Sequence, residues 1–464
     1  MKISPPKANI GNDDPFENAL YGRREFGQAL TGLLRNVSES LVIIVNAPWG
    51  EGKTTFAKMW LASLKKQELD VIYFDAYAAD YYEDPFLSFS GEILGLVDKR
   101  LKEGKGLLER REDFKKKAGE VGKSLAGLAM KIGLRAASFG VIESAHIKEL
   151  DKIASDIASD VSKVGAGIIE KKIESYVAEK DSMTAFKKSL AELAAKVRED
   201  QGIPLTIIVD ELDRCRPDFA LGLLERIKHL FDVENVAFVL LVNLKQIESY
   251  VQTVYGDKDA RSYLLKFANL FVDLPNKQSQ LSQIYEKGRA EYCQTLFSHY
   301  EFSNKEIKEA RLFVETLGNL ANHFALTLRE IEKVFTVMAI YYSSKQAPDD
   351  FMIPMLAVLK VKCPPLYQQL STGSVSVNQF FKETGLDQNK QESAQGFSQG
   401  WIIQILKYCL MSDAELSEAL RETANTKIIS MGTYRFANFN TVKRQGLIPF
   451  FCGRLDRFSL DPRS

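Results

Sequence analysis

The sequence predicts an α/β protein: a parallel sheet with helices on both faces, a large helical insertion and a mostly helical C-terminal region. Three observations carry this. Short, uniformly apolar runs rich in β-branched residues occur at LVIIVNA (41–47), VIYFDAY (71–77), LTIIVDE (205–211) and VAFVLLVN (236–243), the pattern of strands buried on both faces. The first run passes through a glycine-containing turn into TTFAKMWLASLKKQ, which has helical spacing. Between about 86 and 200, and again after FVDLP (271–275), the pattern is helical almost throughout.

At 464 residues the chain is too long for one small core and divides into domains. Hydrophobic residues make up 45% and charged residues 26%, an ordinary globular balance. Lys plus Arg equals Asp plus Glu at 61 each, so no global field draws the protein to nucleic acid or an anionic membrane, and any such contact is local. The five cysteines form no C-x-x-C pair and read as reduced thiols. The first residues, MKISPPKANIGNDDPF, lack the apolar core of a signal peptide, and no run approaches the roughly 18 apolar residues of a spanning helix. The expected location is the cytoplasm.

In chain order, residues 1–18 read as a flexible arm, followed by a helix in YGRREFGQALTGLLRNV. The core comprises 19–85 and 201–276, and the insertion 86–200. Within the insertion, GKSLAGLAMKIGLRAASFGVI (122–142) and IASDIASDVSKVGAGII (153–169) are rich in small residues, which lets helices approach closely. Lys123, Lys131 and Arg135 interrupt the first and Asp156, Asp160 and Lys163 the second. This favours a soluble or partner-facing hairpin over a membrane-embedded one, with contact at a membrane surface left open. Residues 277–345 form a helical lid. Residues 346–464 are mostly helical, without an assigned role, and contain a linker candidate in DQNKQESAQGFSQG (387–400).

The segment APWGEGKT (47–54) fits a P-loop with Ala47 in place of the usual first glycine. Ala47, Pro48, Trp49, Gly50, Glu51, Gly52, Lys53, Thr54 and Thr55 are thus the candidate nucleotide-binding residues. Small residues let the backbone N–H groups curl around phosphate oxygens, and the following helix points its positive end at them. Lys53 then reaches the β- and γ-phosphates and the Thr54 hydroxyl ligates Mg²⁺. LTIIVDELDR (205–214) delivers two carboxylates at the C-terminal end of a strand, where ligands of open α/β sheets bind. Asp210 is the candidate Mg²⁺ holder and Glu211 the base that orients and deprotonates the attacking water.

These blocks resemble the KAP family of P-loop NTPases, within the class that includes AAA+ and STAND proteins. The likeness runs through Gly22-Arg23, the tryptophan-containing loop, FDAY, VDELDRCRP (209–217), FVLLVNLKQIESYV (238–251), YLLKFANLFVDLP (263–275) and LTLREIEKVF (326–335). It covers roughly 14–340. The family usually has two aspartates where this chain has Asp210 and Glu211; the carboxylate is kept. The resemblance implies a polar sensor at Asn243, read alternatively as a helix cap, and a lid arginine at Arg329, read alternatively as a surface residue. It also implies a subunit-to-subunit finger at Arg261 or Lys266. Asp213, Arg214 and Arg216 read as a local ion-pair network. The four histidines show no metal spacing, and YAADYYEDPF (77–86) reads as a loop packed on the core or as a base-stacking cluster.

The expected function is an ATP- and Mg²⁺-dependent switch that hydrolyses nucleotide, works as a homo-oligomer and drives conformation or assembly. The resemblance adds a role in bacterial anti-phage defence beside a separate effector protein. The alternatives are a nucleotide-stabilised scaffold, with or without contact at a membrane surface, and a DNA-dependent clamp or motor. Neutral net charge speaks against the clamp.

Overall fold

Every apolar run named above is a strand in the computed structural model, which describes residues 2, 4–6, 10–11, 13–37, 39–82, 85–102, 164–256, 259–275, 282–302, 310–343, 352–386, 399–421 and 442–456. The strands are β1 (Leu41–Asn46), β2 (Val71–Asp75), β3 (Leu205–Asp210), β4 (Val236–Val242) and β5 (Leu270–Asp273). They form one parallel sheet in the order β2-β3-β4-β1-β5. Each residue of β3 and β4 is buried, as their unbroken hydrophobicity requires.

Because side chains alternate across a strand, the sheet feeds two cores. Ile43, Val45, Ile208, Val239 and Leu241 face α1 (Arg23–Asn36) and α2 (Lys53–Lys66). Val42, Ile44, Ile207, Val209, Phe238 and Leu240 face the opposite side. After the short α3 (Ala76–Ala79), that second face is covered by α4 (Pro85–Lys102), α5 (Val164–Gln201), α6 (Pro217–Ile227), α7 (Leu244–Tyr255) and α8 (Ala260–Leu265).

Packing runs across the expected domain boundaries. The range 86–200 was expected to be insertion, yet Phe86, Phe89, Ile93 and Val97 of α4 and Phe186, Leu190, Ala194 and Val197 of α5 lie inside the sheet's core. Residues 103–163, with the first small-residue segment and most of the second, lie outside the described residues. Among the described residues no helix is long and apolar enough to cross a membrane. The arm is also tied down in part: Phe16 is buried against Phe56, with ring centroids 6.4 Å apart, and the Lys2 N–H donates to the Tyr300 carbonyl at 3.1 Å.

The remaining helices are α9 (Ser282–Tyr300), α10 (Ala310–His323), α11 (Leu328–Ser343), α12 (Met352–Lys362), α13 (Pro364–Ser371), α14 (Val377–Thr384), α15 (Gln399–Leu410), α16 (Asp413–Arg421) and α17 (Leu447–Asp456). One hydrophobic cluster runs from Cys293 to Cys452, so the expected division between a lid and a C-terminal region at 345/346 falls inside a single core. The reason is α12, whose residues Met352 to Leu359 are all buried; a helix apolar all round must be surrounded. The linker candidate lies, but for its last two residues, outside the described residues. The five cysteines are free.

The helices that flank the insertion are fastened to the sheet by a buried charge cluster. Arg100 is fully buried and donates from Nη1 to Asp70 Oδ2 at 2.6 Å and from Nη2 to Asp200. Lys99 reaches the other Asp70 oxygen at 2.9 Å. Burial by itself would raise the Asp70 pKa, but the Lys99 and Arg100 contacts outweigh it and hold the carboxyl below its ordinary value. Removing one partner from such a cluster strands the other. Arg100→Ala is therefore expected to lower the unfolding free energy by about 3 kcal/mol, and Arg100→Met with Asp70→Asn to recover most of that, as measured by chemical denaturation.

Candidate active site

The P-loop leaves β1 and doubles back into α2. Gly50 (φ 88°) and Gly52 (φ 76°) adopt the left-handed conformation that costs glycine least. Space forbids side chains there as well: a Cβ on Gly50 would stand 2.9 Å from Thr327 Oγ1, and one on Gly52 would stand 2.8 Å from Arg23 Nη1. The loop is thus clasped between two neighbours.

Arg23, at the start of α1, is 3% exposed. Its guanidinium donates to the Glu51 carbonyl and, at 3.5 Å, to the Gly52 carbonyl. Burial lowers its pKa, opposed by Tyr21 and Glu51. On the other side the lid is docked. The Arg329 N–H donates to the Gly50 carbonyl at 3.3 Å. Thr327 and Glu330 cap α11 reciprocally, at 2.7 and 3.2 Å. Lys362 of α12 reaches both Glu330 oxygens, and Arg289 Nε donates to the Leu326 carbonyl at 2.7 Å.

Asp210 and Glu211 project from the end of β3 into the same crevice. β4 separates β3 from β1 in the sheet, which leaves room between the acidic pair and the P-loop. Asp210 is fully buried, accepts from Tyr73 Oη at 2.9 Å and from the Glu211 N–H at 2.9 Å, and has its pKa pushed up to about 6, chiefly by burial. Glu211 sits at φ 60°, an uncommon conformation for a residue with a side chain. Its carboxylate accepts from Thr54 Oγ1 at 2.6 Å and pairs with Arg214 Nη1 at 2.7 Å. Lys53 is turned toward the base of the loop: Nζ donates to the Ala47 carbonyl at 2.8 Å and lies 3.3 Å from Asp213 Oδ2. Burial lowers the Lys53 pKa, and Asp213 works against this. The Trp49 indole donates to that same Asp213 oxygen at 2.6 Å.

These groups enclose a cavity of about 210 Å³. Of the sequence candidates, Gly50, Gly52, Lys53, Thr54, Thr55, Asp210, Glu211 and Arg329 line it. Ala47 and Pro48 contribute carbonyls to Lys53. Glu51 is buried, and that burial raises its pKa against the pull of Arg289 and Arg23.

Three candidates outside the P-loop are not brought to the cavity. Asn243 occupies the N-cap position of α7, but its side chain makes no cap hydrogen bond. Instead Asn46, at the end of β1, accepts from the Leu244 N–H at 2.9 Å and donates to Asp273 at 2.7 Å. Arg261 lies over the Phe271 ring at 4.4 Å and 3.5 Å from Glu248, and Lys266 is exposed at the end of α8. Nor do Asp213, Arg214 and Arg216 pair with one another. They pair with Lys53, Glu211 and Asp80, because the turn of Leu212–Arg214 points successive side chains in different directions. The aromatic loop packs on the core through Ala79 and Phe86, while Tyr77, Tyr81 and Tyr82 are at least half exposed.

The residues present fit a hard divalent cation. Asp210 is a buried carboxylate that no Lys or Arg pairs with among the described residues, and the Thr54 hydroxyl lines the same cavity. One carboxylate and one hydroxyl suit Mg²⁺, which keeps water and phosphate for its other ligands. Sequence reading missed Arg23, Tyr73 and Asp213 as parts of the site. Gly22-Arg23 was visible only as a block of the resemblance, and the place of Tyr73 follows from the pairing of β2 with β3, which no local pattern reveals.

Among known protein families, residues 23–344 match the KAP family P-loop domain. No curated protein matches the chain.

The raised Asp210 pKa has a definite sign. The stability it contributes is fully present below about pH 4 and is lost as pH rises through about 6, a cost of ~3 kcal/mol at most at neutral pH. The ligand-free protein should lose more stability between pH 5 and 7.5 than Asp210→Asn does, read by thermal melts.

Proposed function

The chain belongs to the KAP family of P-loop NTPases, and from that premise we propose that it binds Mg²⁺-ATP in the cavity between the P-loop and the end of β3 and hydrolyses it. The observation that carries this reading is the 2.6 Å contact between Thr54 Oγ1 and Glu211, which brings the phosphate loop and the acidic strand together in one site. In this reading the P-loop N–H groups and Lys53 bind the phosphates, and Arg329 faces them from the lid. Thr54 and Asp210 hold Mg²⁺, whose chemistry when bound is to offset charge on the phosphate oxygens. Glu211 orients a water and accepts its proton as the water oxygen bonds to the γ-phosphorus and the β–γ bridging bond breaks.

The docking of the lid supports a switch. Arg329 is bonded to the P-loop through Gly50, and α11 shares one core with α12 and the helices beyond, so a change at the phosphates moves the whole bundle. The family resemblance supports ATP as the nucleotide, assembly into a homo-oligomer with Arg261 or Lys266 reaching a neighbour's site, and a role in anti-phage defence with a separate effector protein.

Turnover of ATP should fall at least about 100-fold in Glu211→Gln, the range for loss of a general base, while calorimetry shows binding retained. Lys53→Ala should lose binding itself. Steady turnover by Glu211→Gln at the parent rate would refute the assignment.

A further inference from the structure

We propose that Asp213 is a positioning residue that competes with nucleotide phosphate for Lys53, and that the Trp49 indole anchors it in that hold. This deepens the reading above and rests on it.

The Lys53 ammonium has three N–H donors. In the structure its Nζ has three neighbours: the Ala47 carbonyl at 2.8 Å, the Pro48 carbonyl at 3.4 Å and Asp213 Oδ2 at 3.3 Å. Lys53 and Asp213 are 8% and 1% exposed, so water does little to screen the pair. A phosphate arriving at Lys53 therefore meets a carboxylate already in place. Two anions against one ammonium in a buried site repel strongly, so phosphate and carboxylate compete for it.

Asp213 is built to be the one that leaves. Its Oδ1 is buried without a hydrogen-bond partner among the described residues, a state that a settled structural ion pair avoids. Its Oδ2 is held by the Trp49 indole at 2.6 Å, and Trp49 is 44% exposed. The backbone, in contrast, is pinned: the Asp213 carbonyl accepts from Tyr250 Oη at 3.0 Å. The exchange is thus a side-chain event, in which Lys53 passes from carboxylate to phosphate and Asp213 gives up the ammonium and the indole.

Calorimetric titration of a non-hydrolysable ATP analogue with Mg²⁺ tests this in the full-length protein. Asp213→Asn should bind the analogue about tenfold more tightly than the parent, the direction set by removing the competing charge. A residue that only supported the fold would weaken binding on replacement. Equal or weaker binding by folded Asp213→Asn overturns this inference and leaves the hydrolase reading intact. Absence of binding by the parent overturns both. Should Asp213→Asn fail to fold, the Trp49 indole proton in the parent, assigned by its loss in Trp49→Phe, gives the answer by NMR. It should resonate downfield without ligand and move upfield with the analogue as its carboxylate acceptor departs. An unchanged position at saturation would overturn the proposal.

Discussion

A phosphate cradle must leave its N–H groups free for the ligand, so the loop that forms it cannot be held by them. In this protein the P-loop is held by its carbonyls. Arg23 takes those of Glu51 and Gly52 from behind, the Arg329 N–H takes that of Gly50 from the lid, and Lys53 takes that of Ala47 from inside. Each contact satisfies a polar group that would otherwise be costly to bury, and together they keep two left-handed glycines in place. The rest of the architecture follows. α1 has to deliver a buried arginine, the lid has to dock, and α12 has to be buried so that Lys362 can steady Glu330 at the foot of α11.

The charges within the crevice are arranged unevenly, and that unevenness is the chemistry. Asp210 is a buried carboxylate without a cationic partner among the described residues, and burial raises its pKa. Lys53 is a buried ammonium with a carboxylate already beside it. Glu211 has both oxygens occupied, one by Thr54 and one by Arg214. The resting site therefore holds Lys53 and Glu211 against substitutes for their ligands, and in the proposed reading nucleotide exchanges these internal contacts for its own. Such a site gives up affinity in return for a distinct change of state on binding.

Much of this was legible in the sequence because it is written in local patterns. The strands follow from unbroken β-branched runs, the glycines from the turn they permit, and Lys53, Thr54, Asp210 and Glu211 from their places at strand and helix ends. What escaped was set by long-range packing. Tyr73 reaches Asp210 only because β2 pairs with β3 in one register, and Asp213 reaches Lys53 only because β3 lies two strands from β1. That α4 and α5 pack on the sheet, and that one core runs across 345, depends on such packing too. Helical periodicity shows that a face is apolar, but not whether it covers the sheet or a neighbouring helix.

By itself, then, the sequence determined the kind of protein this is: a parallel α/β core with a P-loop and an acidic strand, because backbone geometry and hydrogen bonding tie each of those elements to residues close together in the chain. Only the tertiary structure decided how the site is poised. Which carbonyl Arg23 supports, which acid holds Lys53, and that Asn243, Arg261 and Lys266 stand away from the cavity all depend on distances between residues tens to hundreds of positions apart. Those distances are fixed by the sheet order and the packing of α1, α11 and α12, and burial then sets the strength of every charge that meets there.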